Sequence, residues 1–508
     1  MRSAPPSLLR NILASYVGQV GVALLGLVML PVYLRYLGQE AYGLVGFFTL
    51  LQAWFQLLDL GLTPTVSREL SRYRAGVLAP EQAAAMVRTL EWLFAVLGLC
   101  CALAVVLGAP WVVHNWLKVR QLDQTEVQRC VVLMGGMVAP RWLVGLYRGG
   151  LAGLERMVTI NVANLLLALL RAGGAWLVLA LWAPDPGAFF VFQASIGLLE
   201  LLLMGFLFYQ AGPMRAGWRP DWRAMRGCLR LAGSMAFLAG LWVVLSQTDK
   251  LVLSGLLDLP SYGAYTVAVT LAGGILQLAA PLTQVLQPRF SVLVAQDDKP
   301  ALVALYRAGT QVAGAGLFAL AGTLALFSGP LLRAWTGNPE TVALAVRVLP
   351  LYALGNAVVA LLSLAFAVQF AYGRTRWHVV GNCVFGVFWV PGVYWCARQA
   401  GAVGAGWLWL LGNMTYLLLW LPYIHRRLLP PGCWRLLLRD VVVMAASVAV
   451  ILLAFAWLGL PQTGRMVTLA CLGGVAVVTA VGAMLMQPEG RALLLTQGRR
   501  FRLVLFPG

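Results

Sequence analysis

Residues 89–109 read TLEWLFAVLGLCCALAVVLGA, and Glu91 is their only charged side chain. About twenty consecutive apolar residues are what a helix needs to cross the hydrocarbon core of a bilayer. No alternation marks a strand here, and no polar stripe marks the wet face of a soluble helix. Working outward, blocks of this kind cover approximately 12–34, 42–62, 89–109, 130–150, 157–182, 188–210, 231–254, 261–284, 308–328, 349–370, 377–397, 401–424, 437–459 and 465–486. The 508-residue chain is 61% hydrophobic and 11% charged, whereas soluble domains carry about 25% charged residues. Mean hydropathy is +0.81. The expected fold class is an all-α integral membrane protein with about fourteen transmembrane helices.

The net charge of +19 would suggest nucleic acid in a soluble protein. Here the basic residues sit in short loops, so topology explains them and no nucleic-acid partner is expected. Fourteen spans put both termini on one side. If that side is the cytoplasm, its loops hold 26 of the 37 Lys and Arg residues and the opposite loops hold 8. Cytoplasmic loops collect positive charge, so both termini are expected inside. Arg141, Arg171 and Lys250 make up the remainder, within spans. The longest outer loop, around 110–129, is too short for a soluble domain. The eight cysteines lack CxxC or metal-ligand spacing, and the three histidines are scattered. No GxxxxGK[ST] phosphate loop occurs. No metal site, no cofactor and no direct use of ATP are therefore expected.

An offset of 220 residues recurs in three places. Leu37, Tyr42 and Gly43 match Leu257, Tyr262 and Gly263; Gly153 and Arg156 match Gly373 and Arg376; Gly212, Arg215 and Arg219 match Gly432, Arg435 and Arg439. The offset spans six helices, an even number, which makes it a parallel repeat of the kind transporters use. The expected organisation is an N-terminal six-helix bundle (1–210), a cytoplasmic linker (211–228), a C-terminal six-helix bundle (229–430), two additional spans (431–486) and an amphipathic cytoplasmic tail (487–508). Two pseudo-symmetric bundles suit alternating access around a central cavity.

Ionisable groups inside a membrane are costly and usually face a cavity or a partner. Arg141 and Arg171 lie near the middle of their spans, too deep to snorkel easily. A guanidinium keeps its charge and grips phosphate through a planar fork, so both are candidates for binding an anionic substrate in the cavity. The alternative is a structural ion pair with Glu91 or Glu200. Asp249 and Lys250 are neighbours near the outer end of the seventh span and must serve different partners, because adjacent helical residues do not face each other. Asp59, Asp249, Lys250, Glu91 and Glu200 are the candidates for ion coupling or gating, with capping or a gate contact favoured for Asp59. Arg10, before the first span, is a candidate for attracting an anionic headgroup.

Several stretches resemble one family. They are LPVYLRYLGQEAYGL (30–44), LLDLGLTPTVSREL (57–70), GLER…N (153–161), QTDKLVLSGLL (247–257), SYGAY (261–265) and GRTRWHVVGN (373–382). Over about residues 10–425 the chain resembles the polysaccharide biosynthesis, or O-antigen flippase, family. That family belongs to the superfamily of the multidrug (MATE) exporters and lipid II flippases. The resemblance implies a MATE-like, V-shaped pair of six-helix bundles in the bacterial inner membrane. It implies translocation of an undecaprenyl-diphosphate-linked oligosaccharide from the cytoplasmic to the periplasmic leaflet, driven by H+ or Na+ if coupled. Membrane lipids and a polysaccharide polymerase or other assembly proteins are the implied partners. A lipid II flippase and a MATE-type drug or metabolite antiporter are the alternatives; two midspan arginines suit an anion better than a cationic drug. A glycosyltransferase or polymerase would need a larger loop or a carboxylate motif facing the sugar, so no enzyme is expected.

Overall fold

The computed structural model describes residues 8–59, 61–212, 222–459, 464–488 and 491. Residues 213–221 of the expected linker and most of the expected tail lie outside them. The chain divides into two compact units, Met1–Gly263 and Ala264–Gly508.

The first unit begins with α1 (Leu8–Phe55), kinked at Gly38. There φ is 81°, a left-handed conformation that costs glycine nothing. A 3₁₀ turn at Gln56–Asp59 leads to α2 (Leu62–Arg74). Helix α3 (Pro80–Trp111) runs into a π-helical turn at Val112–Trp116. Next come α4 (Gln124–Gly136) and α5 (Val138–Gly153), separated only by Met137. Then follow α6 (Met157–Leu181), α7 (Pro186–Ala211), α8 (Trp222–Leu256) and the first turns of α9 (Leu259–Ala295). The second unit holds the rest of α9, α10 (Lys299–Leu326), α11 (Ser328–Thr336) and α12 (Pro339–Ala371). Helix α13 (Arg376–Thr415) breaks at Ala400–Gly401 and continues through a π-helical turn into α14 (Leu421–Leu428). Finally come α15 (Cys433–Leu458) and α16 (Arg465–Leu485).

Every apolar block read from the sequence falls on helix. Among the described residues, ten helices are long and apolar enough to cross a membrane. Their outer faces carry large apolar side chains in the open, including Leu107, Leu181, Leu202, Phe388, Leu419 and Trp457. A soluble protein does not expose apolar surface on that scale; a bilayer is its natural solvent. The chain is a multi-pass membrane protein.

Alternate loops of the first unit meet each other. At one end Arg74 pairs with Glu155, and Ser71 donates to the carbonyl of Gly153 at 3.2 Å. At the other, Glu40 reaches residues 120–122, Arg120 pairs with Asp258, and Glu126 lies beside Asp185. This sorting is what a chain crossing the same slab repeatedly must show.

The 220-residue repeat is written in the element boundaries. Helix α2 ends at Arg74 and α9 at Ala295; α3 starts at Pro80 and α10 at Lys299. Helix α5 ends at Gly153 and α12 at Ala371; α6 starts at Met157 and α13 at Arg376. All four spacings fall within two residues of 220. The copies differ in one respect. The first breaks two of its spans, at Gln56–Gly61 and at Met137, whereas the matching α9 and α12 run unbroken through Pro281, Pro288 and Pro350.

Helices α2, α3, α5, α6 and α7 share an apolar core centred on Phe94, Trp142, Leu146, Met204 and Phe208. Backbone approach tightens it: a Cβ on Gly149 of α5 would stand 2.8 Å from the carbonyl oxygen of Thr63, and one on Gly153 would strike that of Ser67. Small residues at such spacing are how membrane helices pack without a hydrophobic driving force. In the second unit α15 and α16 lie against α10 through Ala315, Ala319, Met444, Val448, Leu452 and Leu472. Asp440 of α15 is only 6% exposed. It takes two hydrogen bonds from Arg307 of α10, at 2.8 and 3.0 Å, and one from Gln311, at 3.0 Å.

Candidate functional site

Helix α5 carries Arg141 and Arg148 seven residues apart, two turns along one face. Arg171 stands on α6 and Glu200 on α7. The fold brings these four together. Glu200 is 4% exposed. Its Oε1 accepts a hydrogen bond from Arg148 Nη2, and its Oε2 accepts one from Arg171 Nη2 at 2.5 Å. Arg141 keeps open side-chain surface although many atoms crowd its guanidinium, and it lies close enough to Arg171, Glu200 and Arg148 to feel their charges. No hydrogen bond or ion pair among the described residues holds Arg141. The buried Nε atoms of Arg148 and Arg171 also lack partners among the described residues. Tyr33 of α1 closes the side of the site next to Arg171, donating to the carbonyl oxygen of Ala172 at 3.4 Å.

The balance is three guanidinium groups against one carboxylate within the span of the membrane. An uncompensated charge there costs several kcal/mol. A second negative group of similar reach would offset that cost, and guanidinium forks favour phosphate or carboxylate. Chemically the cluster is able to receive an anion: its own counter-ion holds it together and leaves surplus positive charge.

The other candidates are placed elsewhere. Glu91 serves neither Arg141 nor Arg171. Tyr147 Oη donates to its Oε1 at 2.9 Å, Tyr209 Oη donates to the same oxygen, and Arg88 Nη1 donates to Oε2 at 2.8 Å. Each of its oxygens is satisfied, and the contacts tie α3, α5 and α7 together. Asp59 accepts from Thr63 Oγ1 at 2.6 Å and from the Thr63 backbone N–H at 3.3 Å, the geometry of a helix cap on α2. Lys250 Nζ donates to Gln247 Oε1 at 2.8 Å and to the Ser246 carbonyl at 3.1 Å, both on its own helix. Asp249, 2% exposed, lies near Tyr262. The two neighbours thus serve different surroundings. The side chain of Arg10 lies outside the described residues.

The sequence does not mark Arg148 as a site residue, because it lies near the end of its apolar block, where a loop cation is expected. Its seven-residue spacing from Arg141 was the available signal. The Arg307–Asp440 pair is hidden in the same way, since Arg307 precedes one apolar block and Asp440 lies in the first turn of another.

Long apolar helices arranged as two repeats, with Arg141, Arg148 and Arg171 gathered around Glu200 inside the first unit, define the class: a multi-pass membrane protein whose first repeat carries an arginine cluster. Solved structures agree on the fold. One described as the lipid II flippase MurJ in an inward closed conformation aligns over 93% of this chain and 98% of its own, with TM-score 0.69 and 12% identity. An inward-facing multidrug resistance MATE family transporter of the MOP superfamily aligns over 81% and 98%, with TM-score 0.63 and 14% identity. A MOP superfamily transporter from Pyrococcus furiosus, whose title reports a binding pocket of reverse polarity, aligns over 82% and 95%, with TM-score 0.56 and 14% identity. No curated sequence matches significantly. The family of polysaccharide biosynthesis proteins matches residues 8–294, more than half of the chain. The chain belongs to that family.

Proposed function

We propose that this protein is a flippase for a lipid-linked oligosaccharide, carrying an undecaprenyl-diphosphate-linked glycan from the cytoplasmic to the periplasmic leaflet of a bacterial inner membrane. The observation that carries the reading is the surplus of positive charge at Arg141, Arg148, Arg171 and Glu200 within the membrane span. A cationic drug, the cargo expected of a MATE-type antiporter, would be repelled there. A diphosphate diester carries two negative charges, which is what three arginines and one glutamate leave unbalanced. Membership of a polysaccharide biosynthesis family supports a glycan on that diphosphate.

In this mechanism Arg141 makes the first contact, because it alone is unengaged and exposed. Arg171 and Arg148 then share their guanidinium protons between Glu200 and the arriving phosphate. No covalent step is involved. The excess of Lys and Arg in alternate loops supports cytoplasmic termini, and in this reading transport proceeds by alternating access, with H+ or Na+ as the ion if it is coupled. Lipid II is the second reading; the fold similarity to a structure titled as a lipid II flippase favours it, and the arginine cluster fits either diphosphate.

The test is a strain lacking this protein, complemented with wild type or with Arg141→Ala. Wild type is expected to clear lipid-linked oligosaccharide from the cytoplasmic leaflet, and the variant to let it accumulate at normal protein level. Normal clearance by the variant would refute the role of the cluster.

A further inference from the structure

At the end of the first unit away from the Arg74–Glu155 pair, one short loop is gripped from two sides. Residues 117–122 join the π-helical end of α3 to α4. On one side is Glu40, just past the Gly38 kink and 6% exposed. Its carboxylate accepts the backbone N–H groups of Arg120 at 2.6 Å, Gln121 at 2.9 Å and Leu122 at 3.2 Å. Three successive N–H groups converging on one anion form a nest. On the other side is the α8–α9 turn. Lys118 Nζ donates to the Leu256 carbonyl at 2.7 Å, the Leu259 N–H donates to the Lys118 carbonyl at 3.0 Å, and Arg120 pairs with Asp258 at 2.5 Å.

The two gripped corners are repeat mates: Gly38 and Asp258 are 220 residues apart, as are Gly43 and Gly263. They also touch directly. Gln39 Nε2 donates to the Pro260 carbonyl at 2.8 Å, and a Cβ on Gly43 or Gly263 would run into the backbone carbonyl of Leu259 or Gln39 respectively. The loop therefore bridges corresponding corners of the two repeats, at a place where their backbones are already in contact.

We propose that residues 117–122 are a latch that holds this end of the transporter shut, with the Glu40 carboxylate as its catch, and that cargo leaves on this side only after the latch lets go. The proposal rests on the transporter reading above but not on the identity of the cargo. Its chemistry suits a reversible catch. Every partner released is an N–H, a carbonyl or a charge that water at the membrane surface can hydrate, so opening strands no buried polar group. Nor can an amide replace the carboxylate. Oε1 serves Arg120 while Oε2 serves Gln121 and Leu122, and a glutamine would turn its NH₂ toward one set of donors.

Two experiments test it. Glu40→Ala removes only the α1 side of the grip. If the loop is a latch, it releases as a unit, and hydrogen exchange should quicken at least about tenfold both at Arg120–Leu122 and at the Leu259 amide, which Glu40 does not touch. Glu40→Gln should show the same pattern more weakly. Faster exchange confined to Arg120–Leu122, or no change, would overturn the latch. For the second experiment, Lys118 and Asp258 face each other as a parallel bridge pair, within disulfide reach. In a background with the eight native cysteines replaced, Lys118→Cys with Asp258→Cys should arrest transport when oxidised and recover on reduction. Unimpeded transport by the oxidised protein, or failure of the bond to form, would also overturn the proposal. Exchange needs no cargo, so its failure sinks the latch alone. A latch that passes both tests in a protein that does not move lipid-linked oligosaccharide would sink the cargo assignment alone.

Discussion

Arg141 should be expendable for stability and indispensable for transport. It is unbonded, two like charges stand near it, and the one carboxylate within reach is already shared by Arg148 and Arg171. Arg141→Ala should therefore leave the melting temperature of the purified protein unchanged or raise it slightly. Arg171→Ala is the contrast, because it breaks a 2.5 Å pair with a glutamate that is 4% exposed. Removing one partner of a buried pair costs about 3–5 kcal/mol. Arg148 still engages Glu200, which brings the expected loss down to about 1–2 kcal/mol. The first unit runs from Met1 to Gly263; at about 2 cal/mol/K of unfolding entropy per residue, that loss lowers its melting temperature by roughly 2–4 °C. For transport, a charge-assisted hydrogen bond contributes about 1.5–3 kcal/mol, and about 1.4 kcal/mol is a factor of ten. Arg141→Ala should thus slow flipping in proteoliposomes by roughly ten- to a hundredfold. The reasoning is refuted if Arg141→Ala destabilises the protein as much as Arg171→Ala, or if it transports at the wild-type rate.

Two further outcomes follow from pairs outside the cluster. Asp440→Ala leaves Arg307 and Gln311 facing an empty site between α10 and α15, so limited proteolysis should cut the α14–α15 connection at least about tenfold faster, consistent with a loss of about 3 kcal/mol. Asp59→Asn keeps an acceptor for the Thr63 N–H and should be nearly silent in thermal melts, while Asp59→Ala removes the cap on α2 and should cost about 1 kcal/mol; a large transport defect in Asp59→Asn with unchanged melting would show that this carboxylate does more than cap.

The fold was legible because bilayer length and apolarity are properties of single segments. What the sequence hid was set by neighbours. The region 329–348 reads as an outer loop because Arg333 and Arg347 interrupt its apolar pattern. It folds instead as α11 and the first turns of α12, started by Pro339 and by Asn338, whose side chain accepts from the N–H groups of Glu340 and Thr341 at 3.0 and 3.1 Å. In the second span, LDLG conceals a break. Leu57 and Leu58 look like continuous helix, yet Gly61 takes a left-handed φ of 68° and a new helix starts at Leu62. At the site, Arg141 and Arg171 stood out as charges stranded in apolar blocks. Their company did not: which carboxylate each would find depends on the packing of α5, α6 and α7, and Arg148 looked like an ordinary loop cation.

The repeat supplies a control on the site within the same chain. At the 220-residue offset, Arg141, Arg148, Arg171 and Glu200 correspond to Leu361, Val368, Pro391 and Trp420. The second copy has apolar residues at all four places, on α12, on α13 and in the π-helical turn before α14. The architecture therefore does not need charge there, and in a membrane the apolar version is the less costly one. Contrast Glu91, whose counterpart is Gln311: both positions keep a polar side chain, and both spend it on structural contacts, with Arg88 and two tyrosines in one copy and with Asp440 in the other. A polar group retained in both copies is doing what the fold asks of that position. A four-charge cluster present in only one copy, beside a broken span that its mate lacks, is not something the fold asks for, and the anionic cargo proposed above gives it a purpose.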